Sequence, residues 1–154
     1  MIEYKAPNRP SEFDLEMRTT IFLAGTIDLG NSWDWQAHVT KELKNINCVV
    51  YNPRRDNWDN SWKQEEDNEN LSIQVNWEID MMDHADIIVM YIAPGSKSAI
   101  TLFEYGKYIE SGKIKLCCLD GFFRKGNIDI YAKRFNVEVF ATLDDLIENL
   151  KQNA

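Results

Sequence analysis

Apolar residues in this chain fall in short unbroken runs, separated by stretches where they recur at helical spacing. Residues 19–24 (TTIFLA) predict a buried strand that ends at Gly25 and Thr26. Residues 33–43 carry apolar side chains at helical intervals, with Ser32 in the N-cap position. Residues 48–51 (CVVY) predict a second strand stopped by Asn52-Pro53, and roughly 54–70 is too polar for a core element. Residues 71–84 place Leu71, Val75, Ile79 and Met82 on one helical stripe. The run DIIVMYI at 86–92 is continuously apolar, the pattern of a strand covered on both faces. A helix over 98–109 with Ser98 as a possible cap follows, then strands at 114–119 and 137–140. A closing helix over 142–150 has Thr142 at its cap. Residues 1–18 mix charge and proline and read as an arm or an edge segment.

Strands alternating with helices, and lacking an in/out polarity of their own, predict a three-layer α/β fold. The expectation is a Rossmann- or flavodoxin-like sheet of about five mainly parallel strands in order 2-1-3-4-5, within a single domain spanning 1–154. Such sheets bind ligands beyond the carboxyl ends of their strands, near the point where strand order reverses. The segments to watch are therefore 25–28 (including Asp28), 52–55, 93–104 and 120–127.

Charge and composition narrow the function. Lys and Arg number 17 against 25 Asp and Glu, a net charge of −8, which argues against a polynucleotide partner. It leaves room for one small nucleotide held by a few local cations. No apolar run is long enough to span a membrane, and residues 1–18 lack the apolar core of a signal peptide, so a cytoplasmic location is expected. Cys48, Cys117 and Cys118 lie in apolar runs, and the adjacent pair would point to opposite faces of a strand, as reduced core residues. His38 and His84 stand alone without CxxC or HExxH spacing, so neither a metal nor another cofactor is expected.

The loops lack the signatures of common α/β chemistry. AGTIDLGN is not GxGxxG, PGSKS is not a P-loop, and no GxSxG elbow occurs. What remains is acidic. Glu104 lies on the first turns of the helix after the third strand, where the helix dipole would favour its anion and suit a nucleophile. Glu78, Asp80 and Asp83 lie on the preceding helix. All four also read as ordinary solvated helix charges.

Taken in joint order, IFLAGTI at 21–27, WEIDMMDHADIIVMYI at 77–92 and FEYGKYIESGKIKL at 103–116 resemble the nucleoside 2-deoxyribosyltransferase family and its nucleotide N-hydrolase relatives. The family pattern has an acid eight residues before the Asp of an Ala-Asp pair, and a nucleophilic Glu eighteen after it. Here these are Glu78, Ala85-Asp86 and Glu104, without gaps. The resemblance implies that Glu104 attacks the anomeric carbon of a 2′-deoxynucleoside and that a second acid serves the departing base. Glu78 stands where the family usually has Asp, and Asp80 is the fallback second acid. Family transferases carry Asp six residues before the nucleophile. This chain has Ser98 there, as in relatives that hydrolyse deoxynucleoside 5′-monophosphates and use that Ser to hold phosphate.

The family commonly completes its site from a neighbouring subunit, implying a homo-oligomer with a shared site. The contributing segment would be the loop at 121–135, with Asn127 near the sugar 5′-group. That segment is a basic island: Arg124, Lys125, Lys133 and Arg134 against Asp129. Gly25, Thr26 and Ile27 in the first loop are further substrate-binding candidates. Arg54 and Arg55 would bind phosphate or base, or pair with Asp56 and Asp59. Trp58, with Trp62, would stack on a base; Trp33, Trp35 and Trp77 read as helix residues serving the core or an interface.

Three functions follow as expectations. The first is deoxyribose transfer between bases through a glycosyl-enzyme on Glu104. The alternatives are hydrolysis of deoxynucleoside 5′-monophosphates, or a non-catalytic nucleotide-binding module on the same scaffold.

Overall fold

A computed structural model of the 154-residue chain describes residues 1–27, 33–59 and 61–154, so Asp28 and Ser32 lie outside the described residues. The elements in chain order are β1 (Ile2–Lys5), α1 (Glu12–Leu15), β2 (Thr19–Gly25), α2 (Trp35–Glu42) and β3 (Cys48–Asn52). Then come α3 (Glu69–His84), β4 (Ile87–Ile92), α4 (Ala99–Tyr108) and a 3₁₀ turn (Ile109–Ser111). β5 (Ile114–Cys118), α5 (Lys125–Phe135), β6 (Glu138–Val139) and α6 (Leu143–Asn153) complete the order.

The strands form one six-stranded sheet, β1-β3-β2-β4-β5-β6, and every neighbouring pair is parallel. Without β1 this is the 2-1-3-4-5 order expected from sequence. The segment read as an arm or edge is an edge strand, with Ile2 opposite Val49 and Lys5 opposite Asn52. Both faces of the sheet are covered, which is why the strands are apolar throughout. Phe22, Tyr51, Met90 and Leu116 pack one face with Trp77 and Met81 of α3, Tyr105 of α4 and Ile128 of α5. Leu23, Val50 and Val89 pack the other with Trp35 and Val39 of α2 and Leu146 and Leu150 of α6. Cys117 and Cys118 divide between the two faces as their adjacency predicts, and all three cysteines are buried and free.

Three local expectations are corrected. Residues 121–135 are not a loop, because residues 125–135 form α5, whose Ile128 and Ala132 dock on the sheet. The stripe on α3 is rotated: Val75 and Ile79 are exposed, while Gln74, Trp77, Met81 and Met82 are buried. Apolar residues occur all round this helix, so period alone cannot choose the docked face, and the bulk of Trp77 decides it. Trp33 precedes α2, which is capped by Asp34 accepting from the Ala37 N–H at 2.9 Å. Thr142 caps α6 as expected, accepting from the Asp145 N–H at 3.1 Å.

Two contacts lock β2 to β4, one at each end. At the amino end, Asp86 Oδ2 accepts from the Thr20 N–H and hydroxyl, both at 2.8 Å. At the carboxyl end, the Thr26 N–H donates to the Tyr91 carbonyl at 2.9 Å, and the Trp35 indole N–H donates to the Thr26 carbonyl at 2.8 Å. Gly25 makes this approach possible: its φ is +149°, and a Cβ there would stand 2.2 Å from the Tyr91 oxygen. No helix among the described residues is long and apolar enough to cross a membrane.

Gly25→Ala is therefore expected to destabilise the protein by about 2–4 kcal/mol, from backbone strain plus overpacking. Chemical denaturation checks it, with the midpoint expected to fall.

Candidate functional site

Two carboxylates come together where α3 runs beside α4. Glu78 lies on the third turn of α3 and Glu104 on the second turn of α4, and both are partly buried. Burial pushes Glu104 up to about 8, and the charge of Glu78 raises it further. Burial likewise pushes Glu78 up to about 7, against a hydrogen bond from Gln74 that favours its anion. The expected helix-dipole stabilisation of ionised Glu104 is thus overridden. The dipole acts over the first turn, and Glu104 is the sixth residue of α4, where loss of water and a like charge outweigh it.

The helices are tied together about one turn beyond the pair. Tyr108 Oη donates to Asp83 Oδ1 at 2.6 Å, Lys107 Nζ lies 3.3 Å from the same oxygen, and Lys113 Nζ donates to the Asp83 carbonyl at 2.8 Å. The Tyr108 hydrogen bond holds the Asp83 carboxyl below the usual range. Asp80 does not join the pair. Two residues from Glu78 is about 200° around a helix, and its half-exposed carboxylate meets Arg9 Nη2 at 2.6 Å.

A cluster of buried hydroxyls occupies the point where strand order reverses, between the loops that follow β2 and β4. Ser98 Oγ is 2.6 Å from Thr26 Oγ1 and 2.8 Å from Ser96 Oγ. Ser96 Oγ donates to the Ala93 carbonyl at 2.8 Å, and Thr26 Oγ1 accepts from the Ala93 N–H at 3.0 Å. Ser98 precedes α4 but makes no side-chain cap, which corrects the capping alternative; its backbone is left-handed, with φ +44°. A non-glycine residue held in that region is costly, and such strain concentrates at functional sites. Gly25 serves the packing of this loop, and partly buried Ile27 follows Thr26.

The remaining candidates lie further off. Arg54 Nε is 3.6 Å from Asp34 Oδ2, and Arg55 Nε donates to Asn57 Oδ1 at 3.2 Å. Of the acids expected to pair with these arginines, Asp56 meets Lys5 at 2.6 Å and Asp59 accepts from the Ser61 N–H. Arg55 stacks over Trp62, which is 5.0 Å from Trp58, so these rings pack on each other. A cavity of about 250 Å³ opens beside this loop, lined by Lys5, Asp34, Asn52, Arg54, Arg55 and Asp56 among others, with neither Glu78 nor Glu104 in its wall.

Arg124 and Asn127 are exposed at the start of α5. The basic island is spread along that helix: Lys125 pairs with Asp129 at 2.8 Å, and Lys133 and Arg134 lie at its far end, about 14 Å along the axis from Arg124. Sequence reasoning passed over Gln74, whose buried amide joins Glu78 to the loop after β3. Its only signal was a polar residue one turn before Glu78, on the face that Trp77 docks.

No curated protein matches the chain. A family model described as nucleoside 2-deoxyribosyltransferase like matches residues 18–122, a span that holds β2 through β5, both glutamates and the hydroxyl cluster. That span is well over half of the chain, and the protein belongs to the nucleoside 2-deoxyribosyltransferase-like family.

Proposed function

We propose that this protein cleaves the N-glycosidic bond of 2′-deoxynucleosides and transfers the deoxyribose to a second base. The observation that carries the reading is the Glu78–Glu104 pair, two partly buried carboxyls on adjacent helices, close enough for the charge of Glu78 to raise Glu104. Glycosidic cleavage needs one carboxylate to attack the anomeric carbon and one acid to serve the leaving group. In the first step the Glu104 carboxylate forms the bond to the anomeric carbon as the bond to the base breaks, and Glu78 gives its proton to the departing base. In the second, the incoming base attacks that carbon, the ester to Glu104 breaks, and Glu78 recovers a proton. Free Glu104 holds its proton more tightly than Glu78. Positive charge developing on the sugar reverses that preference, since it favours an ionised neighbour.

A second reading is favoured by the hydroxyl cluster. Three buried hydroxyls beside the N-terminus of α4 suit a phosphate, which supports a deoxynucleoside 5′-monophosphate as substrate with water as acceptor. Incubation of a deoxynucleoside with a second free base, beside its 5′-monophosphate alone, separates the two readings. New nucleoside from the first mixture supports transfer. Free base released chiefly from the monophosphate supports hydrolysis, and no product from either overturns both in favour of a non-catalytic nucleotide-binding module.

A shared site in a homo-oligomer belongs to the same proposal. Ile100 and Phe103 of α4 are exposed, as are Phe123 just before α5 and Ile130 and Tyr131 on it, the element that carries Asn127 and follows Arg124. Light scattering is expected to give a mass above one chain, and Phe103→Asp to lower it together with turnover.

Glu104→Ala is expected to cut turnover at least about a thousandfold, as loss of a nucleophile does, with the circular dichroism spectrum unchanged. The pair also sets the pH dependence. Below about 7 both carboxyls are protonated and the nucleophile is lost, while above about 8 both are ionised and the acid is lost. A bell-shaped kcat/KM between those values is expected, reporting the pair rather than either residue.

Stability follows the opposite logic from an ordinary salt-bridged acid. The folded Glu104 keeps a proton that the unfolded chain releases near 4.3, so its contribution is full below that pH and is lost as pH rises towards about 8. Glu104→Gln is expected to melt above the wild type at pH 8, with the gap closing towards pH 4 as measured by calorimetry.

A further inference from the structure

Gln74 is buried on α3, with its side-chain nitrogen between two acceptors: the Pro53 carbonyl oxygen at 2.9 Å and Glu78 Oε1 at 2.8 Å. The two ends of an amide are not equivalent, since the nitrogen donates two hydrogens and the oxygen only accepts. A backbone carbonyl only accepts as well. Reversing the amide would set Gln74 Oε1 against the Pro53 oxygen, acceptor against acceptor, so the proline carbonyl fixes which end faces the loop. The same nitrogen then presents its second hydrogen to Glu78. Fixing the amide this way leaves Gln74 Oε1 buried with no hydrogen-bond partner among the described residues.

We propose that Gln74 is a positioning residue: pinned by the Pro53 carbonyl, its amide holds Glu78 Oε1 as an acceptor, so that any proton on Glu78 resides on Oε2 and leaves from there. The proposal rests on the reading of Glu78 as the acid of the pair. A donor to one oxygen also favours the Glu78 anion and opposes the effect of burial. Gln74 therefore sets both the oxygen that carries the proton and the pH at which it is released.

The other charged groups around Glu78 have separate engagements. Glu104 on α4 is the like charge coupled to it. On its own helix, Asp80 meets Arg9 and Asp83 meets Tyr108 and Lys107. In the loop that supplies Pro53, Arg54 lies by Asp34 and Arg55 binds Asn57 and stacks over Trp62.

The test is an NMR titration of the full chain, with ¹³C-carboxyl-labelled Glu and ¹⁵N-labelled Gln. In the wild type the Gln74 side-chain amide shifts are expected to move with the same midpoint as the Glu78 carboxyl. An amide signal that stays fixed while Glu78 titrates overturns the proposal, and needs no variant to fold. Gln74→Leu and Gln74→Met are expected to raise the Glu78 midpoint by about one pH unit, a tenfold change in its proton affinity. Gln74→Asn, too short to span both acceptors, is expected to follow them. In each, the whole kcat/KM profile moves to higher pH along with the NMR midpoint, because the two carboxyls titrate as a pair, and kcat falls more than KM changes. Variants that melt lower yet leave the Glu78 midpoint in place overturn the proposal in favour of a purely structural amide. Absence of turnover in the wild type overturns the proposed function instead, because the titration reads the Gln74–Glu78 link without it.

Discussion

Two carboxyl groups kept from water and within reach of each other's charge are a destabilising arrangement, because each ionisation costs solvation and the second meets the first. Burial and mutual repulsion raise Glu104 to about 8, and burial raises Glu78 to about 7. Much of the surrounding structure holds that pair in place. The Asp83–Tyr108 hydrogen bond and Lys107 beside it tie α3 to α4 one turn away, and Lys113, just before β5, holds the Asp83 carbonyl. Trp77 docks α3 on the sheet with its indole N–H donating to the Asn8 carbonyl at 2.8 Å. Without such ties the two helices would be free to part and let water relieve both charges.

The sheet distributes its tasks between its two ends. Asp86, the Asp of the Ala-Asp pair, lies at the amino end and clamps Thr20, so this part of the family pattern serves register rather than chemistry. At the carboxyl end, the glycine at position 25 lets β2 approach β4 closely enough for Thr26 to meet Tyr91, Ser96 and Ser98. The hydroxyl cluster follows directly from that approach. The strained backbone of Ser98 turns its hydroxyl into the cluster and away from the cap position that its place before α4 would otherwise suggest.

Much of the fold was legible along the chain, because a strand covered on both faces must be apolar throughout and a helix must repeat near 3.6 residues. β2, β3, β4 and β5 fall close to their expected limits, and the reversal point lies where the alternation placed it. Two readings failed for a shared reason. α5 was hidden because its charged face dominates the local composition, while of its residues only Ile128 and Ala132 are fully buried and Phe135 packs half-buried against the core. The docked face of α3 was misplaced because Ile73, Val75 and Ile79 are apolar yet exposed. In both, local polarity was ambiguous and the contact with the sheet decided.

The sequence by itself determined the alternating architecture, the reduced core cysteines, and the ordered spacing of Glu78, Asp86 and Glu104. Those depend on residue type and periodicity, which are local properties. Only the tertiary structure decided that Asp80 turns to Arg9 while Glu78 turns inward, that Ser98 joins Thr26 and Ser96, and that Gln74 bridges Glu78 to Pro53. It also reversed the sign expected for Glu104, from a dipole-stabilised anion to a carboxyl that holds its proton. A pKa depends on what surrounds a group in three dimensions, and neither the water excluded by a packed helix nor the charge of a residue 26 positions earlier can be read from its own turn of the chain.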